Sequence, residues 1–428
     1  MNGKKQIPVL TPSNCAEVLQ MLYEKKIAPM ERHHLFDQFV SPVLTKADFT
    51  AKPMVMLLGQ HSSGKTSMVK HLVGDEYPGS FIGSGPTTDC FVAIQYGDVR
   101  RETMGAALVM DGSMPFDRLH SAGATFLSKL RGATLPSPLL KHVTLLDTPG
   151  VLAEQNRGYD FHSAVHFFAS KVDMIVVMFD TSNLDINDEY KKVLQNLKES
   201  EDKIRILLNK ADSVSPSDLL RSRGALMWNL SKILSSVEVP RVFIGAFGRE
   251  NNGGNQHMID LFAADYEELI GEIQQLAVSA SISRIDHLIK RVKSLKVHAL
   301  FMDAIIQRGT FGSTRDVQKK KALPRLTEIL EEVGKKHELV DLPNPCVFQR
   351  RAGKSSLDQW RKIEPKMMAH LESFLNDDIG KILAQLPTKK SIPGDLKEWF
   401  NSLMAKQGAK VTSTTNQEPT GASLTLAD

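Results

Sequence analysis

The stretch Gly59-Gln60-His61-Ser62-Ser63-Gly64-Lys65-Thr66 has the pattern G-x-x-x-x-G-K-[ST]. The apolar run Val55-Met56-Leu57-Leu58 precedes it, and residues 67–73 follow with the apolar spacing of a helix. A buried strand, a glycine-rich turn and a helix in this order form a phosphate-binding loop, because the loop N–H groups and the positive end of the helix dipole face one anion. We therefore expect Lys65 to reach the terminal phosphates of a nucleotide and the Thr66 hydroxyl to bind Mg²⁺.

Two further motifs also follow apolar runs. Residues 143–146 lead into Asp147-Thr148-Pro149-Gly150, a D-x-x-G motif in which Asp147 is expected to hold Mg²⁺ through water and the Gly150 N–H to contact the γ-phosphate. Residues 204–208 end in Asn209-Lys210-Ala211-Asp212, an N-K-x-D motif at the strand end where ligands bind in open α/β sheets. Three motifs in this order predict a nucleoside triphosphatase domain.

One further ligand is expected between the first two motifs. Many such domains carry a hydroxyl on a switch loop, which joins the Mg²⁺ shell only when the γ-phosphate is present. The segment Pro86-Thr87-Thr88-Asp89 fits this role. We predict Thr88 as the ligand, with Thr87 as the alternative.

Composition narrows the class of protein. The chain has 428 residues, enough for two or three domains, and its 42% apolar and 24% charged residues are typical of a globular protein. No apolar run approaches the roughly 20 residues of a membrane-spanning helix. A net charge of +4 is too small to indicate nucleic acid as a partner. Three widely spaced cysteines, Cys15, Cys90 and Cys346, favour a reducing compartment without a disulfide framework.

The pattern of apolar residues divides the chain into four parts. Residues 1–50 predict an N-terminal helical segment, residues 281–403 a helical domain, and residues 404–428 a disordered tail. Between them, residues 51–280 alternate between strands and helices, which predicts a mixed, mostly parallel sheet with helices on both faces. Besides the three motif strands, further strands are expected at 91–96, 106–110, 174–179 and 241–245.

A basic stretch stands out within the helical region. Phe311 lies between glycine-flanked turns, and three lysines follow it: Lys319, Lys320 and Lys321. Phe311 could insert among lipid acyl chains while the lysines face anionic headgroups, each contributing about 1 kcal/mol. The other interpretation is a solvated run of charge beside a core phenylalanine. The pattern alone leaves both open.

Several segments resemble the EH-domain-containing (EHD) ATPases of the dynamin superfamily. The similarity covers roughly residues 14–390 and is most specific in R-G-Y-D-F at 157–161 and G-A-L-M-W at 224–228, which phosphate binding does not require. Other similar segments are K-P-M-V at 52–55, the loop at 59–66, P-T-T-D at 86–89 and E-D-K-I-R at 201–205.

The resemblance implies a dynamin-type P-loop domain and an all-α membrane-binding domain built from both ends of the chain, with the N-terminal segment packed on it. It implies a cytoplasmic protein, peripheral on endosomal or plasma membranes, that forms homodimers through the nucleotide domain and ring-like oligomers on anionic phospholipid. Such a protein would hydrolyse ATP slowly, with stimulation by the membrane, and would remodel or tubulate membranes in endocytic and recycling traffic. Phe311 and the three lysines fall at the membrane-binding tip of the family.

The sequence also departs from the family. It shows no D-x-[DN]-x-[DN]-G loop of an EH domain, so binding of Asn-Pro-Phe peptides is not expected. Gly248 stands where relatives place a tryptophan near the base, and His61 replaces a common tyrosine. Asp212 of the N-K-x-D motif favours guanine, whereas the resemblance implies ATP. Two alternatives to the membrane-remodelling ATPase stay open. One is a GTP-specific switch acting on effectors, and the other is a nucleotide-binding membrane scaffold without turnover.

Overall fold

The computed structural model describes residues 15–80, 89–152, 157–234, 241–247, 256–307, 325–337, 348–349, 351, 360–385 and 392–415. The chain forms two compact units. The helical unit contains Met1–Thr50 and Ser281–Lys390, and the α/β unit contains Ala51–Ala280 and Ser391–Asp428.

The described strands of the α/β unit form a single sheet. They are β1 Met54–Gly59, β2 Phe91–Tyr96, β3 Arg101–Met104, β4 Leu130–Leu135, β5 Thr144–Asp147, β6 Met174–Asp180, β7 Ile204–Asn209 and β8 Val242–Ile244. Their order across the sheet is β3-β4-β2-β5-β1-β6-β7-β8. The pairs β2–β5 and β3–β4 are antiparallel and the others are parallel. The predicted mixed, mostly parallel sheet is confirmed.

The described helices are numbered along the chain. They are α1 Cys15–Leu22, α2 Ala28–His33, α3 Phe36–Phe39, α4 Lys46–Thr50, α5 Lys65–Val73, α6 Gly105–Met110, α7 Ala124–Ser128, α8 Phe161–Lys171, α9 Asp188–Asn196, α10 Pro216–Leu234, α11 Gln256–Gln307, α12 Leu326–His337, α13 Pro365–Ser373, α14 Ile379–Gln385 and α15 Gly394–Thr415. Short π-helical turns, Tyr23–Ile27 and Phe374–Asp378, join α1 to α2 and α13 to α14. None of the described helices is both long enough and apolar enough to span a bilayer.

Both faces of the sheet are buried. Along β1 the side chains of Met54, Met56 and Leu58 enter one core, together with residues of α6, α8, α9 and α10. Val55 and Leu57 enter the opposite core, with residues of α5, α11 and α15. This alternation follows from the period of two in a strand, and it explains why the strand is apolar throughout.

One predicted strand is wrong. Residues 106–110 lie in helix α6 and not in a strand. In this helix Leu108 and Val109 are buried whereas Ala106 and Ala107 are exposed, so two neighbouring residues face the core and the period of two is absent. The antiparallel strands β3 and β4, on either side of this helix, were not predicted.

The end of the chain also differs from the prediction. Residues 392–403 belong to the α/β unit and not to the helical unit. Helix α15 continues to Thr415, so the part of the expected disordered tail that the structure describes is helical. The physical reason is that Leu396, Trp399 and Leu403 recur at helical spacing and are buried in the α/β core.

The helical unit combines the N-terminal residues 1–50 with residues 281–390 from the C-terminal part of the chain, in line with the predicted fold class. Leu19 of α1 packs in one core with Leu288 and Val292 of α11 and with Phe374. A buried ion pair crosses this core, in which the Arg291 guanidinium donates to both oxygens of Glu31 at 2.6 and 3.0 Å. The N-terminal helices and α11 are therefore fixed by apolar packing and by charge.

Candidate nucleotide-binding site

The strand register brings the three motifs to one edge of the sheet. Leu57 of β1 pairs with Asp147 of β5, and Gly59 pairs with Met178 of β6. On the next strand, Asn209 of β7 pairs with Asp180 of β6. The loop after β1, the D-x-x-G motif and the N-K-x-D motif thus begin side by side at the carboxyl ends of parallel strands, where α/β sheets bind ligands.

The loop between β1 and α5 needs its two glycines. Gly64 has φ +95°, and a Cβ there would lie 2.2 Å from Nδ2 of Asn209. A Cβ on Gly59 would lie 2.6 Å from the carbonyl oxygen of Met178. Neither position has room for a side chain. Glycine therefore lets the loop backbone lie close to the strand ends and curl into the phosphate-binding shape.

Lys65 is held inside this loop. Its side chain is buried, and Nζ donates to the carbonyl oxygens of Gly59 at 3.1 Å and Gln60 at 2.9 Å. Burial lowers the pKa of Lys65 to about 8, and the Asp147 carboxylate partly opposes that effect. Phosphate oxygens are stronger partners for an ammonium group than carbonyls, so the loop is prepared for an anion.

The cation site lies beside the lysine. Asp147 is fully buried, and its Oδ2 accepts hydrogen bonds from Thr66 Oγ1 at 2.7 Å and from Tyr77 Oη at 2.8 Å. Its Oδ1 is buried without a hydrogen-bond partner among the described residues. Burial raises the pKa of this carboxyl group, and the nearby Lys65 lowers it. A hydroxyl beside a carboxylate with an unused oxygen is a donor set that fits Mg²⁺.

The D-x-x-G segment is paired with the phosphate loop. The Val151 N–H donates to the Gly59 carbonyl at 3.1 Å, and the His61 N–H donates to the Val151 carbonyl at 3.3 Å. Thr148 Oγ1 donates to the Leu57 carbonyl at 2.7 Å. A Cβ on Gly150 would lie 2.7 Å from Cα of His61. Glycine at 150 is therefore required by the close approach of two backbones.

In the structure, the asparagine of the N-K-x-D motif joins neighbouring segments by hydrogen bonds and so braces the phosphate loop. Asn209 is fully buried, its Nδ2 donates to the Ser63 carbonyl at 2.8 Å, and its Oδ1 accepts from the Phe247 N–H at 2.8 Å. Lys210 has a left-handed backbone, φ 60°, and pairs with Asp180. Asp212 is half-buried on a short 3₁₀ helix after β7. Asn209 thus joins the phosphate loop, β7 and the segment after β8.

The remaining loop residues line its outer side. Ser63 is buried, and its Oγ has no hydrogen-bond partner among the described residues. Gln60 Nε2 donates to the Asp185 carbonyl at 2.7 Å. The Nδ1 of His61 lies 2.9 Å from Ser62 Oγ. The contacts of Gln60 and His61 restrain the side chains at the start of the loop.

Other predicted residues lie outside the described part of the chain. They are the magnesium ligand Thr88 and its alternative Thr87, the base-site residue Gly248, and the membrane residues Phe311, Lys319, Lys320 and Lys321. Their roles stay predictions.

Two residues at the site were not assigned a role from sequence. Tyr77 carries no motif, although its hydroxyl contacts Asp147. Arg157 was noted only as the first residue of R-G-Y-D-F, and its Nη2 donates to the Gly150 carbonyl at 2.6 Å while its guanidinium lies 4.2 Å from the Phe161 ring centre. For Arg157 the signal was present, because a basic residue that follows a D-x-x-G motif can reach the γ-phosphate side of the site.

Comparison with known proteins identifies the family. The model of the Dynamin family matches residues 55–211, that of the N-terminal EH-domain containing protein matches residues 18–50, and a domain of unknown function matches residues 279–383. EH domain-containing protein 1 of Bos taurus is 37% identical over 391 residues, which cover 88% of this chain and 72% of the relative. The chain belongs to the EH-domain-containing protein family. EH domain-containing protein 2 of Arabidopsis thaliana is 40% identical over 376 residues, which cover 85% of this EHD chain and 68% of the relative.

Family membership confirms the resemblance carried by the motifs. Together with the sheet order, the Dynamin family match confirms a dynamin-type nucleotide-binding domain in this EHD protein. Lys65, Thr66 and Asp147, which the sequence predicted as site residues, lie together in that domain.

Proposed function

We propose that this EHD protein binds and slowly hydrolyses ATP with Mg²⁺ and uses this cycle to assemble on and remodel anionic membranes. The nucleotide part of the proposal rests on the corner formed by Lys65, Thr66 and Asp147. There an ammonium group, a hydroxyl and a carboxylate with one oxygen unpaired among the described residues meet at the strand ends. The match to the Dynamin family supports the same chemistry.

The residues of the site take complementary parts in hydrolysis. Lys65 and the loop N–H groups neutralise the phosphates, and phosphoryl transfer to water needs little beyond such neutralisation and positioning. Thr66 and Asp147 would hold Mg²⁺, with Thr88 as the ligand supplied by the switch loop. When bound, this cation neutralises the charge that develops on the phosphate oxygens. Arg157, bonded to the Gly150 carbonyl, keeps the Gly150 segment in place.

Two features of the chain bear on the choice between adenine and guanine. Asp212 would accept hydrogen bonds from the N1–H and N2 amino groups of guanine, which adenine lacks. The similarity to EHD ATPases nevertheless favours ATP. Gly248 brings no ring where relatives place a tryptophan, so we expect weaker stacking on the base.

Two exposed apolar side chains of α10 support oligomerisation. Trp228 is 65% exposed and Leu220 is 63% exposed. A large aromatic side chain is expensive to leave in water and is enriched at the centre of protein interfaces. We therefore include Trp228 in the proposed homodimer contact of the α/β unit, on the path to ring-like oligomers.

The membrane part concerns the helical unit. Phe311 would enter the acyl region, and Lys319, Lys320 and Lys321 would pair with anionic headgroups. This arrangement makes the protein peripheral, on the cytoplasmic side of endosomal or plasma membranes. Flotation with anionic liposomes tests it, using Phe311→Ala combined with neutralised lysines. The exposed pair Lys335 and Lys336, neutralised alone, is the matched control and should still float.

The deciding experiment measures phosphate release from ATP and from GTP, each with and without anionic liposomes, with Lys65→Ala as the blank. ATP turnover stimulated by liposomes and lost in Thr88→Ala supports the proposal. Turnover of GTP alone, indifferent to lipid, would instead favour the effector-directed switch. Tight binding of nucleotide with no turnover would favour the membrane scaffold.

A further inference from the structure

The Asp147 carboxylate is held through one of its two oxygens. Oδ2 receives both hydroxyl donors, from Thr66 and from Tyr77, at 2.7 and 2.8 Å. Oδ1 is equally buried and accepts no side-chain hydrogen bond among the described residues, although the adjacent Thr148 N–H also lowers the pKa of the carboxyl group. A buried carboxylate oxygen is normally paired, because leaving it unpaired forfeits its hydration without a replacement. Among the described residues, Oδ1 is therefore the carboxylate oxygen left for a ligand such as a water bound to the cation.

The position of Tyr77 is set by packing and not by its hydroxyl. The residue follows α5, is 3% exposed, and its ring belongs to the same core as Val69 and Leu72 of that helix. The core thus delivers the hydroxyl to Asp147, which lies 70 residues away in sequence. A ring fixed in this way can restrain a carboxylate more firmly than a surface side chain, because its own rotamer is locked.

We propose that Tyr77 is a positioning residue for Mg²⁺, which holds Asp147 by Oδ2 so that Oδ1 faces the water shell of the cation. This inference rests on the proposed nucleotide-binding function. The Thr66 hydroxyl donates one hydrogen bond to Oδ2, and the same oxygen would ligate the cation. The second donor, Tyr77, stops the carboxylate from rotating about Cβ–Cγ. Partners of this kind, one step removed from a metal, commonly change its affinity 10–100-fold when mutated.

The test compares Tyr77→Phe with the wild-type full-length chain. Phenylalanine keeps the packed ring and removes only the donor. The readout is binding of a fluorescent ATP analogue, titrated with Mg²⁺ and requiring no turnover. We expect unchanged affinity in excess EDTA and a Mg²⁺ midpoint raised by about 10-fold or more. Tyr190→Phe is the matched control, since the Tyr190 hydroxyl is buried without a partner among the described residues and should leave the midpoint unchanged.

The outcomes separate this inference from the proposed function. If the wild type binds no nucleotide, or binds it without regard to Mg²⁺, the proposed function itself fails. If the wild type depends on Mg²⁺ and Tyr77→Phe has the same midpoint, the role of Tyr77 is wrong while the proposed function stands. If Tyr77→Phe loses nucleotide affinity equally with and without Mg²⁺, the positioning role of Tyr77 is also wrong, because Tyr77 would then shape the nucleotide site. In an Asp147→Asn background, Tyr77→Phe should cause no further shift, and an added shift would contradict coupling through Asp147.

Discussion

Replacing Asn209 by alanine tests whether the N-K-x-D motif is a brace. The change removes the side-chain amide that bonds the Ser63 carbonyl and the Phe247 N–H, each at 2.8 Å, and leaves both backbone groups without that partner. A buried polar group stripped of its partner costs about 1–3 kcal/mol. Counting both groups, we expect local stability of the α/β unit to fall by about 2–6 kcal/mol.

Local hydrogen exchange is the appropriate assay, because a chain with two units has no single free energy of unfolding. Amides of β7 should exchange at least about 30-fold faster in Asn209→Ala, the equivalent of about 2 kcal/mol. Since the Ser63 carbonyl lies in the phosphate loop, ATP and GTP should lose affinity by the same factor. The exposed Asn196 at the end of α9 supplies the control, and Asn196→Ala should change neither quantity.

The reasoning is refuted by one clear pattern. If β7 amides in Asn209→Ala exchange at the wild-type rate while the ratio of ATP to GTP affinity changes, Asn209 reads the base and does not brace the loop. Asp212→Ala should show the opposite behaviour, with normal exchange and an altered ratio. The pair of variants thus assigns bracing and base selection to different residues of one motif.

Three further predictions concern the rest of the molecule. Glu31→Ala leaves the buried Arg291 charge without its carboxylate partner and should destabilise the helical unit by about 3–5 kcal/mol. Replacing both Glu31 and Arg291 by apolar residues should recover most of that loss. The same hydrogen-exchange assay measures both variants. Burial lowers the pKa of His34 to about 3 and of His298 to about 4. Both are therefore neutral in the folded unit, and stability present above pH ~6.5 should fall on acidification by about 1.4 kcal/mol per pH unit for each. Hydrogen exchange of helical-unit amides at neutral pH and at about pH 5, corrected for the pH dependence of the intrinsic exchange rate, measures that slope, and a pair of glutamine replacements should flatten it. Trp228→Ala should shift sedimentation toward monomer without changing nucleotide affinity.

The sequence predicts the centre of the sheet better than its margin. The motif strands β1, β5 and β7 are apolar runs that end in recognisable loops, so both their type and their position follow from the sequence. Strand β3 reads Arg101-Glu102-Thr103-Met104 and is exposed at the sheet edge, which leaves no apolar pattern to detect. Strand β4 contains Arg131 and Gly132, residues that weaken a strand signal. Residues 130–135 form a strand because they pair with β2, a contact between distant segments that the local sequence does not reveal.

The residues of the candidate site also differ in how well the sequence predicts them. Lys65, Thr66 and Asp147 belong to motifs whose spacing follows from phosphate chemistry, so they can be found in a single sequence. Tyr77 cannot, because its role arises when the segment after α5 folds beside β5. Asn209 lies between these two cases of predictability. The residue is part of a motif, but its partners Ser63 and Phe247 are identified only by the fold.

Helix α15 shows how far along the chain the support of the site extends. The Trp399 Nε1–H donates to the Leu72 carbonyl at 2.8 Å, in the last turn of α5. Gln274 of α11 donates to the Leu396 carbonyl at 3.0 Å. Carbonyls in the last turn of a helix lack partners within the helix, so the tryptophan satisfies a group that α5 cannot satisfy itself. Because Lys65 begins the same short helix, a segment more than 300 residues away helps to fix the lysine that meets the phosphates.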